Sequence, residues 1–466
     1  MALSKVKKLL ANIRLKPFDT STEEGRSNER NRRMALTFVT LTGARVAQVL
    51  TTIAVVRLAL DYFGVERYGL WLTISSFIMF LGALASGVGN GTTQLLAAAD
   101  GSENRNEIRR IISAAYCVMA TIGVVGALIA LACYPFISWP DVFNVKSALA
   151  AAEAGPAILV LAAAFLVNIS LNTITAIQFG LQDSYFGNAW QFVGTLLSIA
   201  GLLIVIVMGE GIPALVVVLV AVPALAQLAN TFIYFTRIRP GLSPQWRLID
   251  KEVLQKLINV GGLFLAVHLM LMILQAADNF IVAHVVGADA VATFAVPQKL
   301  FNVLYLVLTI TTQTFWPSFR EAMERGNWTW VKQMLPKSIA VSVGLGLCFG
   351  IGLLFAGGPL VELWVDGQIT PTYTLLGGFA LWGIVFSIGT AMTTILYAAN
   401  AVRALVLWMG LALLVTLSLK IVLVDHFGLD SLPWAMSLGY GLCYALPCVI
   451  LLPRVLKKRE KEATAA

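Results

Sequence analysis

Residues 261–325 read GGLFLAVHLMLMILQAADNFIVAHVVGADAVATFAVPQKLFNVLYLVLTITTQTFWPSFREAMER. The stretch predicts two membrane-crossing helices joined by a short turn near Gly287, since each apolar run exceeds the roughly 20 residues a hydrocarbon core requires. Both runs carry polar residues at depth. In the second, Gln298, Asn302, Tyr305, Thr309 and Thr312 recur at helical spacing and share one face. In the first, His268, Gln275, Asp278 and Asn279 lie close to one face. Lys299 enters about 11 residues into its helix, near mid-bilayer at ~1.5 Å per residue. A cation at that depth is costly unless it meets water, a partner or a ligand. The hairpin is therefore expected to line a wet cavity; the competing reading is that its polar residues hydrogen-bond helix to helix.

Composition agrees with a membrane chain. Of 466 residues, 58% are hydrophobic and 12% charged, against about 25% charged in soluble domains. The expected fold class is an all-α polytopic membrane protein. Five cysteines lie in apolar runs without a CxxC pair, and three histidines make a metal site improbable. No cofactor, metal, cleavable signal peptide or catalytic constellation is read from the residues, so no enzymatic activity is expected. The net charge of +8 gathers in loops and tails, which argues for membrane orientation and against nucleic acid.

Twelve apolar segments follow one another, near 34–60, 68–96, 109–135, 154–180, 188–208, 213–236, 257–284, 289–316, 337–357, 373–399, 404–424 and 431–453. Of 33 Lys and Arg, 27 fall on one side with both termini, two on the other (Arg67, Lys146), and four within or at the ends of helices (Arg45, Arg57, Lys299, Lys420). That bias places both termini in the cytoplasm. Residues 1–33 read as a basic arm. Leu3, Val6, Leu10 and Ile13 make 1–18 amphipathic and suited to an anionic inner leaflet, and 19–33 make a flexible link. Residues 34–236 form an N-lobe, 237–256 a cytoplasmic linker, 257–453 a C-lobe and 454–466 a basic tail.

The halves repeat at a shift of 223 residues. Gly64 falls on Gly287, Asn104 on Asn327, Arg109 on Lys332, Arg45 on His268 and Thr52 on Gln275. Six helices per half give a parallel repeat, and transporters built that way bind substrate between their halves. Further stripes are Arg45, Gln48 and Thr52; Asn168, Asn172, Thr175 and Gln182; Asn188, Gln191, Thr195 and Ser198; and Ser387, Thr390, Thr394 and Tyr397. Together they imply a large hydrophilic interior. Arg45 and Lys299 make it cationic at mid-depth, which suits an anionic headgroup such as a lipid diphosphate. Lys420 is expected to snorkel or to pair locally near Asp425. Asp278 is read either as a proton or cation site or as the partner of a nearby base.

Four stretches, FGVERYGLW (63–71), SGVGNGTTQLLAAADGSENRNEIRRIIS (86–113), QAADNFIVAHVVGADAVATFAVPQKLF (275–301) and FWPSFREAMERGNWTWVKQ (315–333), together resemble the polysaccharide-transporter (Wzx-type) branch of the multidrug/oligosaccharidyl-lipid/polysaccharide exporter superfamily. The resemblance covers about 34–453. It implies a MATE-like fold of about twelve helices in two pseudo-symmetric six-helix lobes, and alternating access. The implied activity is flipping of a polyprenyl-diphosphate-linked oligosaccharide (an O-antigen, capsule or exopolysaccharide repeat unit, hence lipopolysaccharide or exopolysaccharide synthesis) across a bacterial inner membrane. An H+ or Na+ counter-ion, with Asp278 as its candidate site, and a downstream glycan polymerase or ligase are the implied partners. Substrate would be bound by Arg45, Gln48, Thr52, Asn168, Asn172, Gln191, His268, Gln275, Lys299, Asn302 and Tyr305. The alternative is a cation-coupled drug or metabolite exporter on the same fold.

Overall fold

A computed structural model describes residues 18–19, 22–139, 148–286, 288–364 and 370–465. The amphipathic stretch at the start of the chain, the turn at Gly287 and Lys146 lie outside the described residues. Those described form helices almost throughout: α1 Glu23–Gly101, α2 Arg105–Cys133, α3 Ala148–Leu171, α4 Thr173–Gly180, α5 Ser184–Met208, α6 Ile212–Ile233, α7 Lys251–Val285, α8 Ala288–Glu324, α9 Trp328–Trp364, α10 Tyr373–Ala398, α11 Val402–Phe427, α12 Leu432–Tyr440 and α13 Leu446–Ala465. Among the described residues, nine helical stretches are long and apolar enough to cross a membrane. The chain is a multi-pass membrane protein, and from α5 onward the helices fall on the expected segments.

Two expectations are corrected at the start. Residues 19–33 are not a flexible link: the helix begins at Glu23, capped by Thr22, whose Oγ1 accepts the Gly25 N–H. The first two apolar segments also run as one helical stretch with no break at 61–67. Drawn straight, 79 residues would span about 120 Å. They are not straight. Asn188, at the start of α5, donates to Thr40, and Tyr62 donates to the Glu210 carbonyl beyond the far end of α5. Thr93 then donates to Ala176 on α4, back near the start of α5. The run therefore reverses direction between Tyr62 and Thr93.

The chain divides into two compact units, Met1–Gly262 and Leu263–Ala466, so the division falls inside α7. In the first unit, Leu96, Ile108, Ile111, Ile112, Ile174, Ile177, Tyr234, Val253 and Leu257 make one buried cluster. The first turns of α7 thus belong to that core. Close backbone approach seats them: a Cβ on Gly91 would come within 2.9 Å of the Gly261 nitrogen, and a Cβ on Gly261 within 3.1 Å of the Val88 Cα. The second unit is built around aromatic rings. Phe301 stacks on Trp382 with centroids 5.7 Å apart, Trp382 meets Tyr440 edge-on at 5.1 Å, and Tyr440 lies 4.9 Å from Tyr444. Such pairs add about 0.5–1.5 kcal/mol each beyond area burial.

The repeat is visible in the turns, each unit taken by itself. Glu103 (φ 57°) and Gly326 (φ 69°) stand 223 residues apart in left-handed conformation. Each is followed by an asparagine that caps the next helix: Asn104 Oδ1 accepts from Glu107 N, and Asn327 Oδ1 from Trp330 N, both at 3.1 Å. A second pair, Gln182 (φ 58°) and Asn400 (φ 59°), closes the turns after α4 and α10, each with the same two backbone bonds. Gln182 is therefore a turn residue and not part of a helical polar stripe.

The glycine contact makes a prediction. Gly261→Leu must displace backbone and should lower stability by about 1–3 kcal/mol, whereas Gly262→Ala, with open space around its Cβ, should be tolerated. Thermal unfolding of the two purified variants checks this; equal midpoints would refute it.

Candidate functional site

The clearest candidate surface is one face of α8. Phe294, Phe301, Leu304, Leu308 and Thr311 point inward, where Phe301 meets the α10 rings. The helical period then turns Lys299, Asn302 and Tyr305 outward, and all three are exposed. Tyr305 rests against Phe386, centroids 5.8 Å apart. One cation, one amide and one phenol within two turns can bind an anion and sugar hydroxyls. Further along α8 the stripe is used internally, because Thr312 accepts from Thr394 of α10.

In the first unit, Arg45 Nη1 donates to Gln48 Oε1 at 2.8 Å on α1. The side chain of Thr52 lies outside the described residues. Gln191 is exposed on α5. Asn168 donates to the Val220 carbonyl of α6, and Asn172 sits at the break between α3 and α4. Asn168 thus serves helix packing, whereas the Asn172 side chain is exposed and makes no capping bond. His268 and Gln275 are half-buried on α7. The α10 stripe is corrected: Ser387 is fully buried, and Ser387, Thr390 and Thr394 each donate to the carbonyl four residues back. It is core packing, because hydroxyls satisfied by their own helix need no water.

Lys420 neither snorkels nor pairs with Asp425. It is fully buried, donates to Asp278 Oδ1 at 2.5 Å and to the Leu274 carbonyl at 2.6 Å, and has its partner on α7. Gln298 Nε2 of α8 donates to the other carboxylate oxygen at 2.9 Å. Three helices thus converge on one acid. Of the two readings of Asp278, the geometry has the partner of a base.

Sequence reading missed a second charged cluster, at the basic end of the first unit. Asp183, almost fully buried in the α4–α5 turn, accepts from Tyr234 Oη and Arg239 Nε, both at 2.9 Å, with Arg33 Nη1 at 3.6 Å. Arg33 also donates to the Leu181 carbonyl, and Glu29 accepts from Arg32, Arg33 and Phe18 N. Burial opposes ionisation of Asp183, but Arg33 and Arg239 outweigh it and hold the carboxyl below its ordinary value. Glu29 is likewise opposed by burial, yet its arginine hydrogen bonds hold it at about 2. No periodic signal could have found this cluster, since its members come from three separated stretches.

The fold is that of the MATE transporters. The chain superposes with a TM-score of 0.79 on the crystal structure of MATE in the bent conformation, at 14% identity over 94% of this chain and 97% of that one. The value is 0.77 on an outward-facing multidrug resistance MATE family transporter of the MOP superfamily, at 14% identity over 93% and 97%. It is again 0.77 on a MOP superfamily transporter from Pyrococcus furiosus Vc1, at 14% identity over 93% and 96%. A sequence-family model described as polysaccharide biosynthesis protein matches residues 63–368. The chain belongs to that family, and family and fold together support a membrane exporter. Comparison with curated protein sequences gives no significant match.

The Asp183 cluster yields a pH prediction. Because both carboxyls are lowered in the fold, their stabilisation is complete above about pH 5 and is lost as pH falls through the lowered values. Asp183→Asn should therefore cost about 3 kcal/mol at neutral pH, the low end for breaking a buried pair, and the deficit should shrink toward pH 3. Unfolding midpoints at the two pH values test this; a pH-independent deficit would refute it.

Proposed function

We propose that this protein carries an oligosaccharide linked to a polyprenyl diphosphate from the cytoplasmic to the outer leaflet of a bacterial inner membrane, with both of its termini cytoplasmic, by alternating access. The observation that carries the reading is the outward face of α8 in a chain of the polysaccharide biosynthesis family: Lys299, Asn302 and Tyr305 stand exposed together within a membrane-spanning helix. An apolar face would suit lipid instead. This face has a cation for diphosphate oxygen, and an amide and a phenol for sugar hydroxyls.

In the first unit, Arg45 would offer a basic contact, pre-oriented by its bond to Gln48. His268, Gln275 and Gln191 would supply further polar contacts. Outward movement of a negative headgroup is favoured by about 2.3 kcal/mol per charge at a potential of 100 mV, inside negative. Consumption of the glycan by a polymerase or ligase in the outer leaflet would keep the process directional. A cation-coupled drug exporter would need an acid available to its cargo or ion, and Asp278 is occupied by Lys420 and Gln298.

Each charge-assisted contact is worth about 1.5–3 kcal/mol, so Lys299→Ala and Arg45→Ala should each weaken substrate handling roughly 10- to 100-fold. The assay is complementation of a flippase-deficient strain, with a leaflet-specific probe for the lipid-linked glycan. Trapping in the inner leaflet with normal protein levels supports the proposal. Normal surface glycan in both variants would sink it.

A further inference from the structure

The Asp278–Lys420 pair takes no part in the substrate reading, yet it is fully buried in the second unit, with neither side chain exposed. Leu274 and Asp278 lie one turn apart on α7, so a main-chain carbonyl and a carboxylate point to one spot. Lys420 Nζ fills that spot at 2.6 and 2.5 Å from the two oxygens. Gln298, donating to the second carboxylate oxygen, fixes the orientation of the acid. Oxygen donors of this kind, one anionic and one a carbonyl dipole, are what hard cations take. A charged carboxylate at this depth also cannot stand without a counter-charge.

We propose that Lys420 is a tethered cation that occupies an oxygen-lined cation site at Asp278. The site is thereby closed to exchangeable sodium or protons in the wild-type protein and opens to a free monovalent cation when the ammonium is removed. A free ion can leave during a transport cycle, whereas an ammonium on α11 remains. The pair therefore contributes a fixed, net-neutral link between α7 and α11, and the second unit draws no energy from cation exchange at this acid. Lys420 is in this sense the residue that decides coupling at Asp278. Ion occupancy at Asp278 can be measured without the cargo.

The test is thermal unfolding of the purified full chain in sodium, ethylammonium and choline chlorides at equal ionic strength. Wild type should give one midpoint in all three salts. Lys420→Ala, which leaves the carboxylate unpaired beside an empty space, should melt lower in choline. Its midpoint should rise by several degrees in sodium or ethylammonium, and further with concentration. Lys420→Ala with Asp278→Asn, which removes both charges, should fold and should not distinguish the salts. The proposal is overturned by a sodium-specific rise in wild type that Asp278→Asn abolishes. It is also overturned by a folded Lys420→Ala that treats the three salts alike. Should Lys420→Ala be recovered in no salt while the double variant is recovered, free cations do not replace the ammonium, and the proposal fails.

Discussion

Hydrocarbon offers no hydrogen bonds, so every main-chain N–H and C=O within it must find a partner in the protein, and irregular backbone is pushed to the ends of helices. The turns of this chain obey that constraint in a uniform way. Glu103, Gln182 and Asn400 accept the strain of a left-handed conformation, as Gly326 does without strain. In return each turn closes with short local backbone bonds. Arginines then cap carbonyls left over: Arg33 on Leu181, Arg320 on Ala398 and Arg459 on Ala399. The basic residues that a charge count assigns to membrane orientation are thus also part of how the helix ends are satisfied.

The two units handle acids differently. Asp183 and Glu29 sit among arginines that keep part of their surface exposed, so those charges retain some hydration. Asp278 and Lys420 have none, and their link rests on direct contact alone. Replacing such a pair by matched neutral groups is often nearly neutral in stability, while removing one member leaves a charge stranded. The contact joins one turn of α11 to one turn of α7.

Polar stripes were only partly legible. The stripes on α8 and α10 have the same helical spacing, yet Lys299 and Asn302 face outward while Ser387 and Thr394 lie in the core. A serine or threonine hydroxyl can donate to the carbonyl one turn back and so becomes indifferent to burial. A lysine ammonium or an asparagine amide has more donors than one such carbonyl can satisfy and takes further partners. Spacing alone treats both kinds of residue alike, so it finds the face without telling cavity from core. Asn168 and Asn172 illustrate the same limit, one spent on α6 and the other left exposed at a helix break.

The amino-acid sequence by itself determined the membrane class, most helix positions, and the repeat of 223 residues whose turns carry Asn104 and Asn327. These depend on hydropathy and local backbone preference, which are read one segment at a time. Only the tertiary structure decided that Lys420 belongs to Asp278 and not to Asp425, that Asp183 gathers Arg33, Tyr234 and Arg239, and that Gly91 meets Gly261. Each of those contacts joins residues more than 50 positions apart. A buried charge takes whichever opposite charge the packing of whole helices delivers, and sequence proximity does not record that packing.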